Sequence, residues 1–352
     1  MSPTRDAAYY GRFRASCRVV ALLVCTLMSH PEKSAARLAP AADSLGTALE
    51  RADLAAVVKV VSVRTEGITQ SATLETVAVM KGDVQALAVL SDLATSGQRR
   101  PESCYFETGE RVFTLLTRSS RGWSCTPHTP FAHVPVPDAA MVQQIRDLMA
   151  VYLRVADDPE SRQTFKTGLW QHLVIGSAHL RRGVLYDLGQ VLTRNDLTRL
   201  RHTLMDTKAP DDVRAWAVRG IGRIGAYPYP SELLQVLDHP VGVIVRQAVM
   251  QVYGQRRNAD DLAVLERGLQ DTDASVRTVA VESFAVPQMV PVLMSHFRTE
   301  TDRGVQLAIV RKFGELDTAQ ARRLLASICT NANDPGLRQE ARQVLPPTQE
   351  CD

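Results

Sequence analysis

From Asp138 onward the apolar positions recur at helical spacing, and from Val213 they recur as whole units. The segments "DDVRAWAVRGIG", "VIVRQAVMQVYG", "DASVRTVAVESF", "DRGVQLAIVRKFG" and "DPGLRQEARQVL" each set an aliphatic residue before Arg or Gln. A small or aliphatic residue follows three or four positions on. The anchors Val213, Val245, Val276, Val305 and Leu337 stand 32, 31, 29 and 32 residues apart. A near-constant period in this range predicts a stacked array of helix pairs. "HLRRGVLYDLGQVL" reads as a degenerate earlier copy, with Leu180 standing 33 residues before Val213. The first helix of each pair falls on "LTRLRHTLM", "SELLQVL", "DDLAVLERGL", "MVPVLMSHF" and "AQARRLLASIC". The anchor and the small residue one turn on share a face, and a lone pair cannot bury it, so neighbours must stack. Ahead of the array, "AAMVQQIRDLMAVYLRVA" has helical spacing at Met141, Ile145, Leu148 and Leu153.

Residues 43–137 carry a different pattern. After a short helix signal, "SLGTALERAD", the run "LAAVVKVVSV" is β-branched and apolar, and "ATLETVAVM" mixes polar and apolar positions as a half-buried strand does. "KGD" at Lys81 to Asp83 predicts a turn, because Gly accepts positive φ. "QALAVLS" and "RVFTLLTR" are further strands, and "SSRG" turns the chain into "WSC". Short strands with Gly-bearing turns predict a small barrel or sandwich. The stretch holding Pro127, Pro130, Pro135 and Pro137 reads as a linker to the helices.

The front of the chain changes how its charge is read. Arg5, Arg12, Arg14 and Arg18 precede an uncharged run from Val19 to Met28, too short to span a bilayer as a helix. A basic stretch, a short apolar core and small residues predict a secretory signal over residues 1–41, with Ala39-Pro40-Ala41 or Ser34-Ala35-Ala36 as the cut. That segment holds six basic and two acidic residues, so the net charge of +3 less +4 leaves −1 for the rest. Nothing there calls for a nucleic-acid partner, which needs a strong basic patch. No membrane span is expected in the mature chain, and the expected location is secreted or periplasmic, in the cell envelope. Cys104, Cys125, Cys329 and Cys351 remain after the cut, and four cysteines in an exported chain fit disulfides. Whether Cys329 and Cys351 pair is open at this level.

Two resemblances build on these residues. "RADLAAVVKVVSV", "TLETVAVMKGD", "CYFETGERVFTLLTR" and "GWSCTPHTPF" resemble the netrin-like domain shared with tissue inhibitors of metalloproteinases. The likeness rests on Lys81-Gly82, on Phe106, Gly109, Glu110 and Arg111, and on Cys104 with Cys125. It implies an OB-type barrel over 43–137 and a Cys104–Cys125 disulfide. The inhibitors use an N-terminal cysteine against the protease metal; no cysteine lies between Pro31 and Ser103, so that mechanism does not carry over. The repeats resemble HEAT repeats, including those of phycobilin-lyase-like proteins, whose motif is D-x-x-V-R-x-x-x-A. Asp273, Val276, Arg277 and Ala280 match it in full; Asp334, Leu337, Arg338 and Ala341 match with Leu for Val. Asp302 and Val305 match, with Gln306 for Arg and Ile309 for Ala. Val213-Arg214 and Val245-Arg246 keep the pair without Asp at that offset. This implies a solenoid over 138–346, followed by a tail at 347–352.

Candidate chemistry is sparse. Cys104, Cys125, His128 and His133 have spacing C-x20-C-x2-H-x4-H, which lacks the close ligand pairs of structural zinc sites. "GIGRIG" at Gly220, Gly222 and Gly225 satisfies G-x-G-x-x-G but falls late in a helix, where a dinucleotide site needs it at the start. Asp211-Asp212 and Asp260-Asp261 sit at predicted helix starts, where acids favour the helix anyway. Trp170, Trp216, Tyr253 and Phe313 read as core or groove residues. The repeated Arg reads as a ladder to acids of adjacent repeats rather than a basic stripe. The expectation is therefore a non-enzymatic binding or scaffold protein with a protein or peptide partner, and no catalytic residue, cofactor or metal. The alternatives are a lyase-like, chromophore-handling protein and a protease inhibitor acting through a barrel loop.

Overall fold

The computed structural model describes residues 44–66, 69–83, 87–92, 105–120, 122–126, 131, 133–154, 159–225, 231–237, 241–256, 261–283, 286–345 and 351. The leader expected at 1–41, Cys104 and His128 lie outside these residues. Helix α1 (Leu45–Arg51) opens the described chain; the Ser44 hydroxyl accepts from the Thr47 amide at 3.1 Å and fixes its start. Six strands follow: β1 (Leu54–Glu66), β2 (Thr69–Lys81), β3 (Leu87–Asp92), β4 (Arg111–Ser119), β5 (Gly122–Cys125) and β6 (Val134–Pro135). They form a small, mainly antiparallel sheet. β1 pairs with β2 and β4, β2 with β3, and β4 with β5 and β6; β3 meets β5 in parallel at Val89 and Trp123.

Two turns show why the sequence motifs sit where they do. Lys81 donates to the Leu49 and Ala52 carbonyls, each at 2.6 Å, and so closes the C-terminal end of α1. Gly82 follows at φ 84°, where an added Cβ would run into the Asp53 carbonyl oxygen. In the other turn Gly109 takes φ 90° and donates to Val60 O at 2.8 Å, while Phe106 is buried. The Gln70 side chain accepts from Phe106 N at 3.0 Å and donates to Phe106 O at 3.1 Å, pairing an otherwise orphaned buried peptide.

The first half of β1 is buried on both faces. Leu54, Ala56, Val58 and Val60 pack with Leu74, Phe106, Val112 and Leu116 in a core of the sheet's own. Ala55 and Val57, with Phe113 and Leu115, instead join a second core that continues through the helices to Leu345. The Pro-rich stretch is therefore not a free linker where it is described. Phe131, Val134 and Val136 are buried, and Val136 N donates to Arg111 O at 2.8 Å. Gly183 leaves the room: a Cβ there would lie 2.8 Å from the Phe131 ring and 2.9 Å from Leu45.

Helix begins at Ala139, with Asp138 accepting from Met141 N at 2.8 Å. In α2 (Ala139–Leu153), Met141, Ile145, Leu148 and Met149 face the core, whereas Leu153 is exposed. The helix α3 (Pro159–Gln171), absent from the sequence pattern, pairs with α4 (Ala178–Gln190). The next pairs are α5 (Leu197–Met205) with α6 (Asp211–Arg223) and α7 (Ser231–Gln235) with α8 (Val243–Gly254). Then come α9 (Leu262–Leu269) with α10 (Ala274–Ser283), α11 (Val290–Phe297) with α12 (Arg303–Leu316), and α13 (Ala319–Asn331) with α14 (Pro335–Val344). The anchors Val213, Val245, Val276 and Val305 are fully buried, and Leu337 nearly so. Cys329 and Cys351 form a disulfide, with Cα atoms 5.8 Å apart, that ties the end of the chain to α13.

The helical stack as candidate binding face

The second helix α4 is capped by the Ser177 hydroxyl, which accepts from Leu180 N at 3.4 Å, and from α6 on each second helix starts in one of two ways, as its sequence dictates. Asp302 accepts from Val305 N at 3.0 Å, Asp334 from Gly336 N at 2.6 Å and Leu337 N at 3.1 Å, and Asp273 from Ser275 N at 2.8 Å. These acids satisfy free amides at the positive end of the helix. α6 and α8 start from Pro210 and Gly242 without a side-chain cap, in keeping with the missing Asp.

The motif arginines are built into the stack. Arg181 donates Nε to Asp212 Oδ2 and Nη1 to Ile175 O, both at 2.7 Å. Arg246 makes a two-point bond to Asp271, at 2.7 and 3.1 Å, and Arg277 one to Glu300, at 2.8 and 3.0 Å. Each also reaches back to the turn before its own helix: Arg246 to Val241 O, and Arg277 to Asp271 O at 2.8 Å. Gln306 keeps that backward bond alone, to Glu300 O at 2.7 Å, and Arg338 reaches Ala332 O at 2.5 Å. Arg214 is buried and donates to Leu204 O at 2.9 Å. One guanidinium thus locks a turn, and in three cases also the next repeat.

Glu300 is the most heavily bonded acid of the ladder. Besides Arg277 it meets His296 Nε2 at 2.8 Å and accepts from the Thr301 and Asp302 amides at 2.9 and 2.8 Å. Burial pushes its carboxyl up, but the bonds from Arg277, the Asp302 amide and His296 together outweigh this and hold it at about 2. A second buried acid, Asp187, ties the sheet side to the stack: it accepts from the Tyr152 hydroxyl at 2.7 Å and from Gly46 N at 3.2 Å. Burial, then the Asp187 charge, raises the Tyr152 hydroxyl well above its ordinary value.

What remains exposed on the second helices is a mainly polar face, with Tyr186 and Ile244 as its large apolar groups. Successive helices show Tyr186 and Gln190, then Arg219 and Arg223, then Ile244 with Gln255 just past the helix end, then Ser275 and Glu282. Polar bonds join adjacent helices across it, Arg219 to Gln251 at 3.4 Å and Gln247 to Ser275 at 2.9 Å.

The remaining candidates resolve as packing. Gly220 and Gly222 lie inside α6 and Gly225 follows it at φ 66°; a Cβ at Gly222 would lie 2.8 Å from Val252 of α8. Trp170, Tyr253 and Phe313 are buried, and Trp170 packs edge-on against Trp216 at 5.5 Å. Asp212 serves Arg181, Asp211 lies 3.6 Å from Arg214, and Asp261 lies 3.2 Å from Arg256. His133 contacts Glu110 at 3.1 Å. Among the described residues no group of three or more His, Cys, Asp or Glu is placed to hold a metal ion. Cys125 ends β5 half-buried, and its pairing with Cys104 lies outside the described residues.

A stack of helix pairs at a near-constant period, bound by buried anchors and an arginine ladder, defines a helical-repeat array. Residues 197–285, from α5 through α10, match the family described as HEAT repeats, and the helical C-terminal region fits a HEAT solenoid. No curated protein matches the chain. HEAT repeats point to protein interaction or scaffolding as the class of work.

Proposed function

We propose that this chain is an exported, non-catalytic binding or scaffold protein that holds a protein or peptide on the exposed face of its second helices. The observation that carries this reading is the division of labour on those helices. Their apolar anchors and motif arginines are consumed by packing, while the outward row is mainly polar, carries Tyr186 and Ile244, and is cross-braced between repeats. A braced surface loses little freedom when a partner docks. Photo-crosslinking residues at Gln247 and Gln251, compared with Glu266 and Arg298 on first helices or their ends, test it in the native host. Crosslinks to a protein from the first pair alone support the reading; none from either, or equal yields from both, overturn it.

In the same reading, residues 43–137 are a netrin-like domain closed as an OB-type barrel. The pairing path β1–β2–β3–β5–β4, with β4 returning to β1, supports that closure. A leader over 1–41 and a Cys104–Cys125 bridge complete the proposal of export. Among the described residues no helix is long and apolar enough to cross a membrane. A non-reducing peptide map of the protein from its own host tests both points. A first residue near 37 or 42 with a bridged Cys104 supports export, and an intact start with free thiols overturns it.

A further inference from the structure

The stack carries two kinds of arginine. Those of the motif are spent on the scaffold, as Arg181, Arg246 and Arg277 are on Asp212, Asp271 and Glu300. Arg182, Arg219 and Arg223 stand outside the motif, are exposed, and meet no carboxylate among the described residues. Arg223 donates to Gly189 O at 2.9 Å and Gln190 Oε1 at 3.1 Å, and Arg219 donates to Gln251 Oε1. Neutral acceptors of this kind orient a guanidinium without cancelling its charge.

These groups fall on one end of the face. Arg219 and Arg223 lie one turn apart on α6. Gln190, which Arg223 grips, shares its exposed row of α4 with Tyr186 and Arg182 at four-residue steps. A cleft of about 270 Å³ opens beside Arg223, with Arg194 also in its wall and no acid among its lining residues. The acids in the neighbourhood are engaged: Asp212 with Arg181, and Asp187 with Tyr152 and the Gly46 amide. Farther along the stack Glu282 is exposed, Glu315 is paired with Lys312, and Arg303 and Arg311 are paired with Asp334 and Glu340.

We propose that the Arg182, Arg219 and Arg223 end of this face docks an acidic peptide segment, with Tyr186 offering an apolar contact and the cleft between Arg194 and Arg223 receiving one carboxylate. The proposal rests on the binding reading above and assigns it a partner chemistry. Charge complementarity selects the occupant: three exposed cations, Arg219 and Arg223 oriented and none with a counter-ion among the described residues, attract carboxylates and repel basic segments.

The full chain would be titrated with a fluorescent glutamate-rich peptide and with its glutamine counterpart. The glutamate peptide is expected to bind at least 10-fold more tightly, with affinity falling as salt rises. Arg219→Gln with Arg223→Gln is expected to weaken it by roughly 10-fold, given surface ion pairs of up to ~1 kcal/mol each. Arg219→Lys with Arg223→Lys should retain most of the binding, and Arg298→Gln, in a later repeat, all of it. Circular dichroism would establish that each variant folds. Equal affinity for the two peptides, no binding of either, or unchanged affinity in the double Gln variant overturns the proposal. Crosslinking through Gln247 and Gln251 that persists in that case would leave the binding reading standing, so the two failures are distinguishable.

Discussion

At the scale of single residues, Glu300 concentrates more bonds than any other acid of the ladder. It is buried, and its carboxylate serves Arg277, His296 and two backbone amides at once. Because its folded value is held at about 2 against an ordinary 4.5, it binds protons less readily in the folded chain than in the unfolded one. Its contribution to stability is therefore fully present above the unfolded value and fades as pH falls through the folded one. Unfolding in urea followed downward from pH 5 should show a loss of stability that Glu300→Gln does not share. At neutral pH that variant should be less stable by roughly 2–4 kcal/mol, because Arg277 is left half-buried without its counter-ion. A flat difference between the two chains across this range would refute the account. Gly82 makes the second test at this scale. Gly82→Ala should cost roughly 1–3 kcal/mol, since both φ 84° and the Asp53 carbonyl oppose a side chain. An unchanged melting temperature would show that the turn moves aside.

At the scale of elements, the period was the most legible feature, because one physical demand repeats it. A stacked pair must bury an aliphatic residue at one place, and Val213, Val245, Val276 and Val305 all fill it. The capping acids at Asp302 and Asp334 were legible for the same reason. α3 was not: in "PESRQTFKTGLWQ" only Phe165, Leu169 and Trp170 offer large apolar groups, too few to mark a period. Nor were the ladder partners, whose separations of 31, 25 and 23 residues follow turn lengths rather than the repeat. The Cys329–Cys351 bridge fastens the pair α13 and α14, and among the described residues α14 has a neighbouring second helix on one side only. For a loop of 22 residues the chain-entropy model assigns about 3 kcal/mol. A repeat with fewer neighbours has fewer interfaces to hold it. Reduction should therefore raise amide hydrogen exchange in α14 while leaving α8 and α10 protected. Uniform exchange in all three helices would contradict this local role.

At the scale of the whole molecule, the sequence marked the change from strand to helix at Asp138 but not how the two parts meet. Composition reports Pro127, Pro130, Pro135 and Pro137 as breakers of structure; it does not report that Phe131 between them is buried against Gly183. The glycine is visible in "HLRRGVLYDLGQVL", yet nothing in that segment says what fills the space above it. In the folded chain one apolar core runs from Leu45, Val57 and Phe113 through Phe131 into Val184 and Leu188. A buried polar link, from Asp187 to Tyr152 and the Gly46 amide, crosses the same junction. Cutting the chain at Asp138 should then do more than remove a neighbour. It would expose the apolar side of α4 and leave Asp187 with Tyr152 alone of its two partners. A fragment of residues 138–352 should melt several degrees below the full chain and self-associate on size-exclusion chromatography. Its first helices should lose protection before those of the HEAT-matching region. If the fragment instead stays monomeric and melts with the full chain, the sheet rides on the stack without stabilising it. The core drawn across the junction would then have no energetic meaning.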